Sequence, residues 1–418
     1  MKPGLFEHYF KTIWYNSPSS LMKAIGAKLP GRGKQNLGSA RRFSMEGESV
    51  FAEFERDDGQ RISLYEGYRD RIKARWRSFD WPTRALVTVG SRLQLDSDAT
   101  TLIQALQSGR TLPAHWNEFA DVVEKLADRH PAEFVRSDIL CPWLKRPIIV
   151  ARLSDSHLEA IAQVYRNQAT LTLQTFRQGS SADIPVESLA VLETGCGMGY
   201  AVMAMANLGV GHAVGIDSIA TNSRCIHQKP AVSARMGMGD AAISNRVRIL
   251  TGDIAQMPLE DNSFDLIYSA SVLEHIQDLP KALAEMLRIL KPGGLMIHNV
   301  DPYFSPQGGH SLCTLDFPWG HTRLNSNEFQ RYIKEFRPFE AEYAIDFYQN
   351  CFNHPRISFH EIEQTISKVG LDILSWQETW KTDHLPSSKI WQEVSQIYPY
   401  VAIRDLSSSD LHIILTKR

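Results

Sequence analysis

The sequence predicts a doubly wound, mostly parallel α/β sheet preceded by a mostly helical α+β region. Three observations carry this. First, Leu189-Ala190-Val191-Leu192-Glu193-Thr194 is an apolar run that enters Gly195-Cys196-Gly197-Met198-Gly199, is followed by a helix-like stretch to Leu208, and leads to Val214-Gly215-Ile216-Asp217. This is a strand, glycine loop, helix, strand and acid, the unit that cradles an adenosine-containing cofactor. Second, strand and helix patterns alternate regularly from this unit onward, as a sheet covered on both faces requires. Third, residues 49–65 alternate like a hairpin and residues 67–135 read mostly as helices.

Taken in order, residues 17–42 are basic and loop-like. The hairpin turns at Asp57-Asp58-Gly59 between two alternating runs. Phe119, Val122, Val123 and Leu126 recur at helical spacing. Pro142, Pro147 and Ile148-Ile149-Val150 mark a change of character, so the N-terminal accessory region is placed at 1–150 and the cofactor-binding domain at 151–418. Residues 155–178 predict a helix leading into that domain. Further on, Asp278 caps a helix with Pro280 just inside its start. Leu283, Met286, Leu287 and Leu290 form its buried stripe, and Pro292-Gly293-Gly294 stops it. Phe359–Val369 predicts a helix stopped by Gly370, then a strand from Leu371; His412–Leu415 predicts the last strand. The segment 301–356 is long for a connection. It follows a strand exit at the carboxyl edge of the sheet, where ligands bind in such folds, so it is read as a substrate cover.

Bulk properties narrow the function. The chain has 418 residues, 43% of them hydrophobic, and a net charge of −2. No polyanion-binding surface is implied, so nucleic acid is not the expected partner. No apolar run is long enough to span a bilayer, and the N-terminus lacks the core of a signal peptide. Five scattered cysteines without a C-x-x-C suit a reducing cytoplasm.

The glycine spacing selects among cofactors. A dinucleotide loop, G-x-G-x-x-G, wants glycine where Tyr200 stands, which disfavours nicotinamide or flavin. At these residues the chain resembles the class I S-adenosylmethionine-dependent methyltransferases, whose first motif is an apolar pair, an acid, one residue and G-x-G-x-G. Three more segments resemble that family in the right order. They are Val247–Ile254, Phe264–His275, and Leu287–Ile297 with its Lys291-Pro292-Gly293-Gly294 turn. The resemblance covers roughly residues 155–418 and implies an otherwise parallel sheet whose last strand is antiparallel. It also implies S-adenosyl-L-methionine as cofactor, with S-adenosyl-L-homocysteine as product. Gly195, Cys196, Gly197 and Gly199 would form the cradle. Glu193 would hold the methionine end and Asp217 the ribose hydroxyls. Ser218 would line the adenine side, Asp253 and Ile254 would meet the adenine, and the backbone carbonyl of Ser269 would meet the methionine ammonium.

The acceptor side is expected in Gly308–Leu324, which gathers two histidines, an acid, a tryptophan and an arginine among glycines. A histidine near its ordinary pKa is a natural general base. His321, then His310, then Asp316 are the catalytic candidates, with His275 as a further one. Trp319 and Tyr303 would wall the substrate and Arg323 would grip a carboxylate. For each of these the alternative is an ordered loop whose polar groups hydrogen-bond one another. His310, Cys313, Asp316 and His321 match no familiar metal pattern, so no metal is expected. The expectation is methyl transfer to oxygen of a small metabolite, a hydroxyl or carboxylate, in the cytoplasm. Carbon or nitrogen methylation and a non-catalytic cofactor-binding scaffold stay open. Substrate recognition, homodimer formation and binding of a carrier-held substrate stay open for residues 1–150.

Overall fold

The computed structural model describes residues 49–66, 85–86, 88–90, 92–107, 116–141, 144–218, 228–306, 308, 315–338, 341–350, 356–380 and 385–417. The basic stretch 17–42, residues 67–84 and His310 lie outside the described residues.

A seven-stranded sheet organises the second half of the chain. Its strands are β5 (Ala190–Thr194), β6 (His212–Asp217), β7 (Val247–Thr251), β8 (Phe264–Ala270), β9 (Leu290–Val300), β10 (Leu371–Trp380) and β11 (Ser408–Lys417), in the order β10-β11-β9-β8-β5-β6-β7. The pairs β5–β6, β5–β8, β6–β7 and β8–β9 are parallel, while β11 runs antiparallel to both β9 and β10. This is the expected sheet with its reversed last strand. The reversal lies at β10-β11-β9 on one side, and the order switches between β5 and β8, so the carboxyl end of β5 faces a crevice.

The order follows from burial on two faces. All five residues of β5 are buried, as a central parallel strand requires. One face packs against the helices Asp155–Gly179 and Tyr200–Asn207 through Tyr165, Phe176, Met203 and Ile297. The other packs against Leu279–Ile289 and Phe359–Val369 through Leu283, Met286, Ile362 and Ile413. Asp278 caps the first of these last two helices by accepting from the Lys281 amide. Ser358 and Glu361 form a reciprocal capping box on the second, and Gly370 stops it at φ +92°.

The N-terminal region contributes two hairpins. β1 (Val50–Glu55) pairs with β2 (Arg61–Tyr65), and Gly59 takes the turn at φ +77°. β3 (Phe134–Leu140) pairs with β4 (Pro147–Ala151). The second hairpin was not foreseen, because Phe134–Leu140 offers only a weak apolar alternation. Two helices, Ser97–Gln107 and Trp116–Arg129, lie between the hairpins.

The cover does not sit on the sheet as a loose flap. One apolar core joins Phe54, Leu64, Phe119 and Ile149 from the N-terminal region with Phe317, Trp319, Tyr332 and Tyr348 from 301–356, and with Val394 and Leu406 from the segment between β10 and β11. Polar contacts fix the same junction. The turn amide of Asp57 donates to Glu328 at 2.8 Å, and the Arg331 guanidinium donates to Asp57 at 2.6 Å. The buried Arg56–Glu328 pair lies at 3.5 Å. Segment 301–356, the segment between β10 and β11 and the N-terminal region therefore build one lobe. Among the described residues, no helix is long and apolar enough to cross a membrane.

Candidate active site

The glycine loop leaves β5 in a tight turn. The amides of Gly195 and Cys196 both donate to the Ile216 carbonyl, at 2.8 and 3.1 Å. Gly195, Gly197 and Gly199 stand at φ +70°, +52° and +76°, a region costly for any residue with a Cβ. A Cβ on Gly195 would lie 2.4 Å from Cγ2 of Val272, so the loop after β8 closes directly over this glycine. Cys196 is buried beneath the loop, its Sγ where a Cβ on Gly215 would meet it at 2.7 Å.

Two carboxylates flank the loop. Asp217 ends β6, is buried, and accepts from the Gly197 amide at 2.8 Å. This bond ties the strand-end acid to the loop. Glu193 is 4% exposed in mid-β5. Burial raises its pKa to about 8, reinforced by the charge of Asp217, and hydrogen bonds from Tyr268 and from the Val202 backbone only partly offset this. Its Oε2 is buried and has no hydrogen-bond partner among the described residues. A buried carboxyl oxygen without a donor is costly. The ammonium of a bound methionine moiety is a group that would satisfy it. Glycine cradle, strand-end acid and orphaned carboxyl together fit S-adenosylmethionine.

The other cofactor candidates are placed as follows. Ser218 is exposed just past Asp217. Asp253 is exposed and accepts from the Ala255 amide at 2.8 Å, a local turn that also orients Ile254 against the second sheet face. Ser269 is buried, its hydroxyl 2.8 Å from Nδ1 of His298. That contact engages the Ser269 side chain; the expected ammonium contact is to its backbone carbonyl. His298 is held neutral, with burial the main cause and His412 a lesser one, at a pKa of about 3. Ser271 follows at φ 56°, with its amide bonded to Asn299 at 2.9 Å. Such a conformation is strained for a non-glycine residue. It swings Val272 over Gly195 and brings the buried Glu274 and the partly exposed His275, 3.9 Å apart, to the same edge.

In the cover, the structure gives the candidates partners within the protein. His321 is fully buried, and its Nε2 lies 2.6 Å from the Tyr303 carbonyl. Burial outweighs that bond and lowers its pKa to about 4. The Tyr332 hydroxyl donates to the Asp316 carboxylate. Trp319 is wholly buried at φ 55° and donates from its indole to the Leu406 carbonyl at 2.9 Å. Arg323 bonds Glu393 at 2.5 Å and the Pro318 carbonyl at 3.1 Å. Tyr303 packs edge-on against Phe304 and His321 at 4.9 and 5.2 Å. Tyr303 and His321 are thus brought together, while Trp319, Asp316 and Arg323 sit in the lobe core. Tyr268 and Val272 escaped the sequence reading. The register that sets Glu193 beside Tyr268 could have exposed the first.

Comparisons with known proteins agree with the geometry. A family described as a methyltransferase domain matches residues 192–298. A sterol 4-C-methyltransferase of Caenorhabditis elegans is 36% identical over 111 residues, 27% of this chain and 30% of that protein. A 24-methylenesterol C-methyltransferase of Arabidopsis thaliana is 23% identical over 237 residues, 54% of this chain and 56% of that protein. The chain thus spans at most about half the length of the curated relatives it matches. Among solved structures, a geranyl diphosphate methyltransferase in complex with S-adenosylmethionine aligns at 16% identity and a TM-score of 0.38, covering 63% of this chain and 90% of that one. Residues 192–298 thus match a methyltransferase domain, and that stretch carries the glycine loop and the central parallel strands β5, β6, β7 and β8.

Proposed function

We propose that the chain transfers a methyl group from S-adenosylmethionine to a carbon atom of a small, largely apolar metabolite. The main support is the state of the cover. Oxygen methylation of a hydroxyl needs a base beside the acceptor oxygen, and the described groups of 301–356 expected to provide one are engaged in the fold. His321 is weakly basic and bonded to a carbonyl, and Asp316 accepts from Tyr332. The two curated relatives named above act on carbon, which supports the same choice.

On this reading the residues divide the work. Gly195, Gly197 and Gly199 admit the cofactor backbone-close, Asp217 holds the ribose, and Glu193 receives the ammonium. When bound, the cofactor supplies an electrophilic methyl group. Tyr303 and Phe304, buried just past β9, form an aromatic wall that excludes water and keeps the acceptor in line with the methyl. Methylation of an unsaturated carbon releases its proton only after the methyl has moved, so it needs no base beside the acceptor beforehand. The Glu274–His275 pair, on the loop that closes over Gly195, is assigned as the acceptor of that proton.

The test is the chemistry of the product. Purified chain is incubated with methyl-tritiated S-adenosylmethionine and pooled apolar metabolites, and labelled product is treated with base and then with hot hydriodic acid. Label that survives both treatments is expected. Release by base, as from an ester, or by hydriodic acid marks a heteroatom acceptor and overturns the carbon assignment.

A further inference from the structure

The last rung of β8 is held from one side. β8 pairs with β5 as far as Glu193 and Tyr268, and with β9 as far as Ala270 and Asn299. Beyond Tyr268, β5 has turned away into the glycine loop. Ser269 and Ala270 keep β9 as their sheet neighbour, and the edge of β8 that β5 vacates opens toward the cofactor cradle.

At that rung β9 presents His298. Its in-register neighbours are Ser269 on β8 and Ile413 on β11. Two residues back along the same face stand Ile267 and Met296, both in the apolar core. An imidazole and a hydroxyl are thus set into an apolar surface. Ser269 is buried, His298 is 0% exposed, and Nδ1 lies 2.8 Å from the serine hydroxyl. Nε2 is buried too and meets no partner among the described residues. Burial keeps the ring neutral, so it carries a single N–H. On Nε2 that proton would be an orphaned buried donor, which is costly. On Nδ1 it has the Ser269 oxygen as acceptor. The tautomer assigned on this ground donates from Nδ1 to Ser269.

The chain that follows needs such a hold. Ser271 stands at φ 56°, a strained conformation that persists only where its surroundings fix it. Its amide donates to the Asn299 carbonyl at 2.9 Å. His298 and Asn299 therefore grip the exit of β8 at two successive points, one through a side chain and one through the backbone. From this exit Val272 closes over Gly195.

We infer that His298 is a positioning residue of the cofactor site. Its Nδ1–H fixes Ser269, and with it the end of β8, so that the Ser269 backbone carbonyl meets the methionine ammonium. His298 acts through Ser269 and not on the cofactor itself. The inference rests on the proposed ammonium contact.

The experiment is calorimetric titration of the full chain with two ligands, S-adenosylhomocysteine and its deamino analogue, in which hydrogen replaces the ammonium. The unaltered chain should prefer the ammonium-bearing ligand by about tenfold or more, as a charged hydrogen bond allows. His298→Leu keeps bulk and has no donor. It should shrink that preference by at least about threefold and leave the deamino analogue bound within about twofold. His298→Asn sets an amide N–H near the place of Nδ1 and should retain most of the preference, while Ser269→Ala should behave like His298→Leu. The double variant His298→Leu/Ser269→Ala leaves no orphaned polar group, so it should melt close to the unaltered chain while the preference stays lost. It decides where a single variant does not fold. A merely structural role weakens both ligands together, and that result overturns the inference. So does a preference unchanged in His298→Leu and Ser269→Ala, or one restored in the double variant. A preference missing from the unaltered chain refutes the ammonium contact on which the inference rests. No binding of S-adenosylhomocysteine by the unaltered chain refutes the cofactor reading itself.

Discussion

Gly195→Ala separates the two demands on the glycine loop. Gly195 sits at φ +70°, and an added Cβ would approach Cγ2 of Val272 to 2.4 Å. The backbone conformation costs alanine about 1–2 kcal/mol, and forcing a methyl into a packed contact costs about 1–3 kcal/mol more. Urea denaturation followed by circular dichroism should therefore show a loss of about 2–5 kcal/mol. The contact half of that loss belongs to Val272. In the double variant Gly195→Ala/Val272→Ala, the losses should fall short of the sum of the single ones by about 1 kcal/mol or more, well beyond the scatter of independent sites. Isothermal titration of the single variant with S-adenosylmethionine should show binding weakened by at least about tenfold, because the shifted loop also displaces the Gly197 amide from Asp217. Additive stability losses would refute the closure of the β8 loop over Gly195. Unchanged cofactor affinity would refute the cradle.

Further expectations concern charge and burial. The pKa of Glu193, raised to about 8, means that the folded chain holds a proton there which the unfolded chain gives up above its ordinary carboxylate pKa. Its contribution makes cofactor-free stability fall as pH rises from about 4.5 to 8, and Glu193→Gln should flatten that slope in thermal melts; an unaltered slope contradicts the assignment. If Glu193 meets the methionine ammonium, cofactor binding at pH 7 releases a proton, which titrations in two buffers of different ionisation enthalpy detect. His321 has the opposite sign. With its folded pKa lowered to about 4, its contribution is present at neutral pH and is lost as pH falls from about 6.5 through 4. The pH–rate profile should lack a limb near 6.5 that His321→Asn removes; such a limb would restore His321 as a base. For the buried Arg323–Glu393 pair, Arg323→Met should cost about 3–5 kcal/mol by leaving a lone carboxylate, and Glu393→Leu added to it should recover most of that. A cost within error of zero for the single change would show the pair to be wetter than its burial implies.

Legibility in the sequence tracked the range of the interactions involved. The sheet half was readable because each signal is local. The Leu192–Gly199 motif, Asp278 with Pro280 and the Gly370 stop each fix a chain direction within a few residues, and the structure places each accordingly. The reversed β11 came through resemblance, not pattern. The contacts of segment 301–356 were not legible because they are non-local. Trp319 and Arg323 look like ligand groups in a glycine-rich loop. Their partners, Leu406 and Glu393, lie 87 and 70 residues away. The same holds for the shared core with Phe54 and Ile149, which no spacing within 301–356 announces.

The most direct test of the central claim is transfer of labelled methyl from S-adenosylmethionine. The unaltered chain should label an apolar metabolite, and Asp217→Ala, which removes the proposed ribose contact, should lose most of that transfer together with cofactor affinity. Tight S-adenosylmethionine binding with no methylated product from any pool would contradict the account, and would make the domain a cofactor-holding scaffold.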